Sequence, residues 1–423
     1  MNMTELKQQL ESGNYPAIFS DIYAGEEKDQ AKRYAKALDA FREAFGGGEV
    51  LVFSAPGRSE IAGNHTDHQH GEVLAASIDL DAIGIVRKKD DGKVNLISEG
   101  FPMVTIDCAD LSVRSEEEGT TAGLIRGVLA GLSERGHLVG GFDAYVTSKV
   151  LIGAGLSSSA AFETLVGTIE SGLYNEGLIS ATTIAMIGQY AENVYFGKPC
   201  GLMDQMACSV GSLVHIDFAD PSDPKTEQVL FDFSAAGYRL CITDTKGSHA
   251  DLTPDYAAVP AEMKAVAACF GKEVLRDVDE NELMADLPAI REKCGDRAVL
   301  RAMHFYEENR RVQQDVQALR AGDMEAFLSG VRASGASSFQ YLQNVYTSHD
   351  VQHQNVSLAL CVAEKLLSGR GACRVHGGGF AGTMQAWVPE ELVRAYQKGM
   401  DAVFGDGACA VLRVRSRGGV RVI

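Results

Sequence analysis

Apolar residues recur at every third or fourth position from about Thr4 to Phe45, through ELKQQLES and DQAKRYAKALDAFREAF. This spacing predicts helices, which the glycine run Gly46 to Gly48 stops. VLVFSAPGR predicts a buried strand leading into a turn at Pro56-Gly57. From Val73 to Val94 the pattern predicts strands around LAASIDLDAIGIVRK, with a turn at KDDGK. TTAGLIRGVLAGLSERG reads as a helix ended by Gly136, and FDAYVTSKVLI as a strand. A glycine and serine turn, GAGLSSSA, opens the helical stretch AFETLVGTIESGLYNEG, and ATTIAMIGQYAENVYFG reads as a further helix. Gly211 to Phe218 and Tyr238 to Thr245 read as strands, and Pro260 to Gly322 as mostly helical. The end alternates between strand and helix through ACRVHGGGFAGTMQAWV, PEELVRAYQKGMDAVFG and ACAVLRVRS. Strands and helices mix without a regular βαβα rhythm, which predicts α+β layers rather than a doubly wound sheet.

Composition narrows the picture. A chain of 423 residues is long enough for two domains, each with its own core. With 45% hydrophobic and 23% charged residues it reads as globular, which excludes disorder for the bulk of it. A net charge of −18 argues against nucleic acid or an anionic membrane as partner. A polyanionic ligand must then find a local positive site. Nine cysteines, an odd number with no C-x-x-C pair, predict reduced thiols and a cytoplasmic location. The first residues carry charge early and no long apolar run, so neither a secretory signal nor a membrane span is expected.

Four constellations can carry chemistry. Arg58 to His68 packs a cation, an amide, imidazoles and a carboxylate into eleven residues behind a strand, the mix of donors and acceptors that a hydroxyl-rich ligand needs. A polar surface turn and a metal site at His65, His68 and His70 are the alternatives. Gly153-Ala154-Gly155-Leu156-Ser157-Ser158-Ser159 is a glycine-rich turn opening a helix, which suits phosphate; a plain serine cap is the other reading. Neither G-x-x-x-x-G-K-[ST] nor a complete G-x-G-x-x-G is present. His376-Gly377-Gly378-Gly379 continues to Gly382, giving four glycines in six residues and implying close backbone approach rather than a loose hairpin. An esterase oxyanion hole needs G-x-S-x-G as well, and the chain has none. Asp204 lies in a mostly uncharged stretch after a helix, where a lone acid can be a cap or a buried hydrogen-bond acceptor.

Taken together and in order, these segments resemble the galactokinases, within the superfamily of small-molecule (GHMP) kinases. SAPGRSEIAGNHTDHQHGEVLAASI is similar to the family's sugar-binding signature, IGAGLSSSAAFE to its ATP-binding motif, AENVYFGKPCGLMDQ to the segment with the catalytic aspartate, and VHGGGFAGTMQAWVP to its C-terminal glycine motif. FREAFGGG and RAMHFYEENRRV also fit, and the resemblance runs from about Phe41 to the end. It implies an α+β fold of two domains, the first like the second domain of ribosomal protein S5 and the last ferredoxin-like. Residues 1–40 would then be a helical extension, 41–213 the sugar and ATP-binding domain and 214–423 the C-terminal domain. It also implies a sugar 1-kinase using ATP and Mg2+, a monomer or weak homo-oligomer. Asp204 would be the catalytic aspartate and Arg58 its cationic partner. Asn64, His65, Asp67, Gly201 and Tyr256 would contact sugar, Gly153 to Ser159 would hold the triphosphate, and Ser159 and Glu192 would bind magnesium. The physical chemistry agrees: phosphoryl transfer needs alignment and charge neutralisation, and an arginine beside an aspartate keeps it anionic.

The chain departs from the family pattern in places. The family's G-E-H-T-D-Y is Gly63-Asn64-His65-Thr66-Asp67-His68 here, so an amide replaces a sugar-binding glutamate, while Glu60 stands where the family has asparagine. The family's W-x-N-Y stretch is TAGL at Thr121 to Leu124, and Tyr256 is followed by AAVP rather than a basic run. A kinase for a related sugar such as N-acetylgalactosamine or arabinose, or a non-catalytic sugar sensor on the same scaffold, remains open at this level.

Overall fold

The computed structural model describes residues 1–150, 155–247 and 252–423. Three helices open the chain: α1 (Met3–Glu11), α2 (Ile18–Tyr23) and α3 (Glu27–Phe45). Asn2 caps α1 by accepting the Thr4 N–H, and Gly46, at φ +81°, ends α3 where an L side chain would be strained. Ala31, Tyr34, Leu38 and Phe41 form the buried stripe of α3 and pack on Val52, Ile83 and Ile85 of the first sheet. Burial of each such large side chain contributes roughly 1.5–3 kcal/mol.

That sheet is built from β1 (Leu51–Ala62), β2 (Glu72–Lys89), β3 (Lys93–Ser98) and β4 (Val104–Asp107). After α4 (Thr121–Glu134) it gains β5 (Gly141–Ser148). After α5 (Ser158–Tyr174), α6 (Ala181–Tyr190) and α7 (Met203–Val210) it gains β6 (Leu213–Asp217) and β7 (Lys225–Val229). β2 is long enough to pair β6 along its first half and β5 along its second; β3 and β5 run parallel, and the other pairs are antiparallel. Helices α4 to α6 cover the face opposite α3, with Val128, Leu165 and Ile187 against Val86 and Phe142.

The expected turn at Pro56-Gly57 is not there. β1 runs on to Ala62, and the dipeptide is instead a register irregularity against β2. The reason is close approach, not chain reversal: a Cβ on Gly57 would lie 2.8 Å from the Leu156 carbonyl oxygen and 2.9 Å from Val150. The glycine thus lets the turn before α5 press on the strand, where the Arg58 N–H reaches Leu156 O at 3.2 Å.

The second sheet starts with β8 (Tyr238–Asp244). It is followed by α8 (Thr253–Cys269), α9 (Glu280–Ala285), α10 (Leu287–Cys294), α11 (Asp296–Ala321), α12 (Met324–Ser337) and α13 (Asn355–Leu367). Then come β9 (Ala372–Val375), β10 (Thr383–Pro389), α14 (Val393–Phe404), β11 (Cys409–Leu412) and β12 (Val420–Arg421). It is antiparallel, in the order β11-β8-β10-β9. Residue 214 lies inside β6, which pairs with β2, and β12 returns to pair with β1. By sheet membership, then, the chain divides after β7 and gives its last strand back to the first sheet. One core spans both sheets, joining Ile61, Leu74 and Leu213 to Leu240, Trp387 and Leu412.

Candidate active site

Three distant stretches converge at the junction of the two sheets. β1 presents Arg58, the first turn of α7 presents Asp204, and the turn ahead of α5 presents Gly155 and Ser157. Arg58 grips Asp204 with two parallel hydrogen bonds, Nε to Oδ1 at 2.7 Å and Nη2 to Oδ2 at 2.8 Å. Its Nη1 donates to the Gly155 carbonyl, and the Ser157 hydroxyl donates to Asp204 Oδ2. This fork is the strong, directional form of the arginine–carboxylate pair. Arg58 is buried, while 32% of the Asp204 side chain faces solvent. Burial pushes the Asp204 carboxyl up; the Arg58 charge and hydrogen bonds, with Ser157 and Lys198, outweigh it and hold the group below its ordinary value. Asp204 is therefore an anion at neutral pH with a face open to a ligand.

Beside this pair, α5 begins at Ser158 with no side-chain cap, so its first amides and positive end are available to an anion. Gly153 and Ala154 lie outside the described residues. Gly155, at φ +65°, leaves room for Thr383 and His376 of the C-terminal glycine segment. Ser159 Oγ donates to Glu192 Oε1 at 3.1 Å, and Gln205 Nε2 bridges Glu192 Oε2 at 2.9 Å and Glu163 Oε2 at 3.1 Å.

Arg58 also borders a cavity of ≈ 690 Å³, lined with it by Glu60, His65, Asp67, Gly201 and Gly377. Gly201 leaves the Asp67 carboxylate where it is: a Cβ there would lie 2.6 Å from Asp67 Oδ2 and push it aside. The His65 ring nitrogen Nε2 meets the Gly378 carbonyl at 3.1 Å. Asn64 is buried and fully engaged. Its Nδ2 donates to Gly377 O at 2.7 Å and Glu60 Oε1 at 3.1 Å, and its Oδ1 accepts from Asn344 Nδ2 at 2.8 Å. Tyr256 donates to Gly379 O at 2.8 Å and lies against Gly378, at the back of the glycine segment. The segment needs its glycines, since a Cβ on Gly379 would fall 2.0 Å from Asn344 O.

Comparison with known proteins shows the family. The galactokinase galactose-binding signature matches residues 39–88, and the GHMP kinases N terminal domain matches residues 123–212. A galactokinase of Streptomyces coelicolor is 34% identical over 380 residues, 89% of this chain and 94% of that protein. This chain belongs to the galactokinase family. Among solved structures, a Lactococcus lactis galactokinase complexed with galactose aligns at a TM-score of 0.75 and 26% identity, over 90% of this chain and 98% of that one. Mevalonate kinase of Methanococcus jannaschii, at 15% identity, shares the fold with a TM-score of 0.62 over 87% of this chain and 99% of its own. The fold is that of the GHMP kinases, and the chain is an ATP-dependent sugar kinase with a sugar and ATP as small-molecule substrates. Among the described residues no helix is long and apolar enough to cross a membrane.

This galactokinase-family site leans on groups that sequence reasoning left without roles. α11 runs behind the signature loop. Glu308 Oε1 accepts the N–H groups of Gly63 at 3.2 Å and Asn64 at 3.3 Å and the Ser334 hydroxyl at 2.6 Å, while Oε2 accepts from Arg311 Nε at 2.8 Å. His304, one turn earlier, donates from Nε2 to Asn64 O at 2.9 Å, and Asn309 Oδ1 accepts the Glu72 N–H at 2.8 Å. The available signal was His304 and Glu308 four residues apart on one helical face within RAMHFYEENRRV.

The Asp67–Gly201 contact yields a direct test. In Gly201→Ala the new methyl must turn the Asp67 carboxylate aside, since the side chain can move and the backbone cannot. The sugar KM should rise about 10–100-fold, with the KM for ATP and the melting temperature little changed, by steady-state kinetics and calorimetry.

Proposed function

We propose that this kinase transfers the γ-phosphoryl group of ATP to the anomeric hydroxyl of galactose, in the cytoplasm and with Mg2+, giving galactose 1-phosphate. The observation that carries this reading is the Arg58–Asp204 fork, whose arginine lines the signature-loop cavity and whose carboxylate accepts from Ser157 just ahead of α5. The similarity to galactokinases from two bacteria supports the choice of sugar. Asp204 orients the reacting hydroxyl and accepts its proton as the P–O bond forms. Arg58 keeps that carboxylate ionised and offsets charge on the transferring phosphoryl oxygens. Gly153 to Ser159 hold the triphosphate through backbone amides and the end of the α5 dipole.

Ser159 and Glu192 offer a hydroxyl and a carboxylate oxygen, the hard donors that Mg2+ takes. The nearby Glu163 Oε1 has no hydrogen-bond partner among the described residues. An ion of this kind takes one or two protein oxygens and is otherwise held by substrate phosphates. The ion would supply charge neutralisation at the phosphates. His65, Asp67 and Gly201 shape the sugar subsite at the cavity wall, and Asn64 and Tyr256 act one layer behind it by fixing the Gly377–Gly379 backbone. The protein acts as a monomer or weak homo-oligomer.

The test is ADP release with galactose, N-acetylgalactosamine, arabinose and glucose, with the product position read by 31P NMR. Galactose should turn over at roughly 1–100 s⁻¹, typical of kinases, with the phosphate on the anomeric carbon. Preference for another sugar would overturn the substrate assignment. Binding of galactose with no ADP formed from any sugar would instead favour a sensor.

A further inference from the structure

Glu60 follows Arg58 by two residues on β1, so both side chains leave the same face of the strand and line the same cavity. Its carboxylate is held from two directions. Arg374, fully buried on β9 of the other sheet, donates from Nη2 to Oε1 at 2.8 Å. Asn64 donates to that same oxygen at 3.1 Å. Gln385 Nε2 fixes the Glu60 backbone oxygen at 3.0 Å. Oε1 therefore carries two well-formed hydrogen bonds, whereas Oε2 has a single 3.4 Å contact with Asn64 Nδ2. A carboxylate oxygen accepts two hydrogen bonds, so Oε2 keeps acceptor capacity on a residue that lines the cavity. Stability alone does not account for this acid. A buried ion pair is on average no better than a well-packed apolar pair, and this one borders the cavity that Arg58 also lines.

The two departures from the family pattern are spatially one. Glu60 and Asn64 touch, and the acid and the amide have exchanged places relative to the family's asparagine and glutamate. The exchange keeps one carboxylate in the pair but moves it from the loop onto the strand, where Arg374 fixes it.

Resting on the reading of this cavity as the sugar subsite, we propose that Glu60 determines sugar specificity by accepting a hydrogen bond from a hydroxyl other than the one phosphorylated, with Arg374 and Asn64 as its positioning residues. A site that hydrogen-bonds a substrate hydroxyl rejects the analogue lacking it, because the buried acceptor is then left unpaired.

The experiment compares wild type and Glu60→Gln on galactose and its 2-, 3-, 4- and 6-deoxy analogues. Glu60→Gln should raise the sugar KM about 10–100-fold and leave the KM for ATP within about twofold. One deoxy analogue, penalised about tenfold or more by wild type, should lose most of that penalty in the variant, while the others keep theirs. A merely structural role would not move a single analogue. If Glu60→Gln melts early, the exchange variant Glu60→Asn with Asn64→Glu keeps one acid in the pair, and its sugar KM should recover at least about tenfold over Glu60→Asn alone. Wild-type turnover with unchanged deoxy penalties in Glu60→Gln, or no recovery in the exchange variant, would overturn the inference while leaving the kinase reading intact. No turnover by wild type on any sugar would overturn both.

Discussion

Replacing Asp204 with asparagine should lower kcat about 10²–10⁴-fold, the range in which a positioned base contributes. The substitution keeps the size of the side chain and one oxygen to face Arg58. It removes the charge that the Arg58 fork stabilises and the second oxygen that accepts from both Arg58 Nη2 and the Ser157 hydroxyl. An asparagine also places an amide N–H₂ against a guanidinium, two donors facing each other. Sugar and ATP binding rest largely on other groups, so calorimetric affinities for both should stay within about tenfold while turnover falls. That split separates a role in the reaction from a role in binding. The wild-type acid limb offers a second check. Because the Asp204 carboxyl sits below its ordinary value, its protonation belongs below about pH 4. A loss of kcat/KM already between pH 7 and 5 would have to come from another group. Equal turnover by Asp204→Asn and wild type would remove Asp204 from the reaction.

The second large effect is on stability, at a residue far from the reacting atoms. Glu308→Ala should cost about 3–5 kcal/mol, because it leaves Arg311 without its buried partner and strips the loop amides of Gly63 and Asn64 of their acceptor. Glu308→Gln, which keeps an acceptor oxygen, should cost less. The loss has a pH signature. Burial pushes the Glu308 carboxyl up, but His304 once protonated in acid, the charges on Arg311 and Arg374 and the Ser334 hydroxyl bring it down from an ordinary 4.5 to about 2. A carboxyl more acidic in the folded than in the unfolded chain contributes its stability in full above about pH 4.5 and loses it as pH falls toward 2. The gap in denaturant midpoint between wild type and Glu308→Ala should therefore be constant near neutrality and shrink below pH 4.5. A gap that stays constant down to pH 3 would show that the charge of Glu308 is not what the fold uses. The same variants should raise the sugar KM, since the loop anchored by Glu308 carries His65 and Asp67.

Wherever the decisive forces act between near neighbours, the chain announced its structure. The stripe of α3, the glycines that stop it and the helix opened by the serine-rich turn before α5 follow from spacings of three and four and from backbone freedom at single residues. The order of the motifs was enough to place Arg58, Asp204 and Ser159 in one family's pattern; the Arg58 and Asp204 side chains meet each other, while the Ser159 hydroxyl meets Glu192. Other features depended on partners far along the chain. Pro56-Gly57 reads locally as a turn; it became a strand irregularity because the backbone near Leu156, about a hundred residues on, needs the space of a missing Cβ. β4, β7 and β12, at four, five and two residues, are too short to show alternation and exist because a sheet edge offers them hydrogen bonds. Glu308 reaches Asn64 across 244 positions and Glu60 reaches Arg374 across 314, so neither partnership leaves a local trace. Periodicity and turn chemistry are properties of a few consecutive residues, while a buried carboxylate's role is set by which donors folding brings to it.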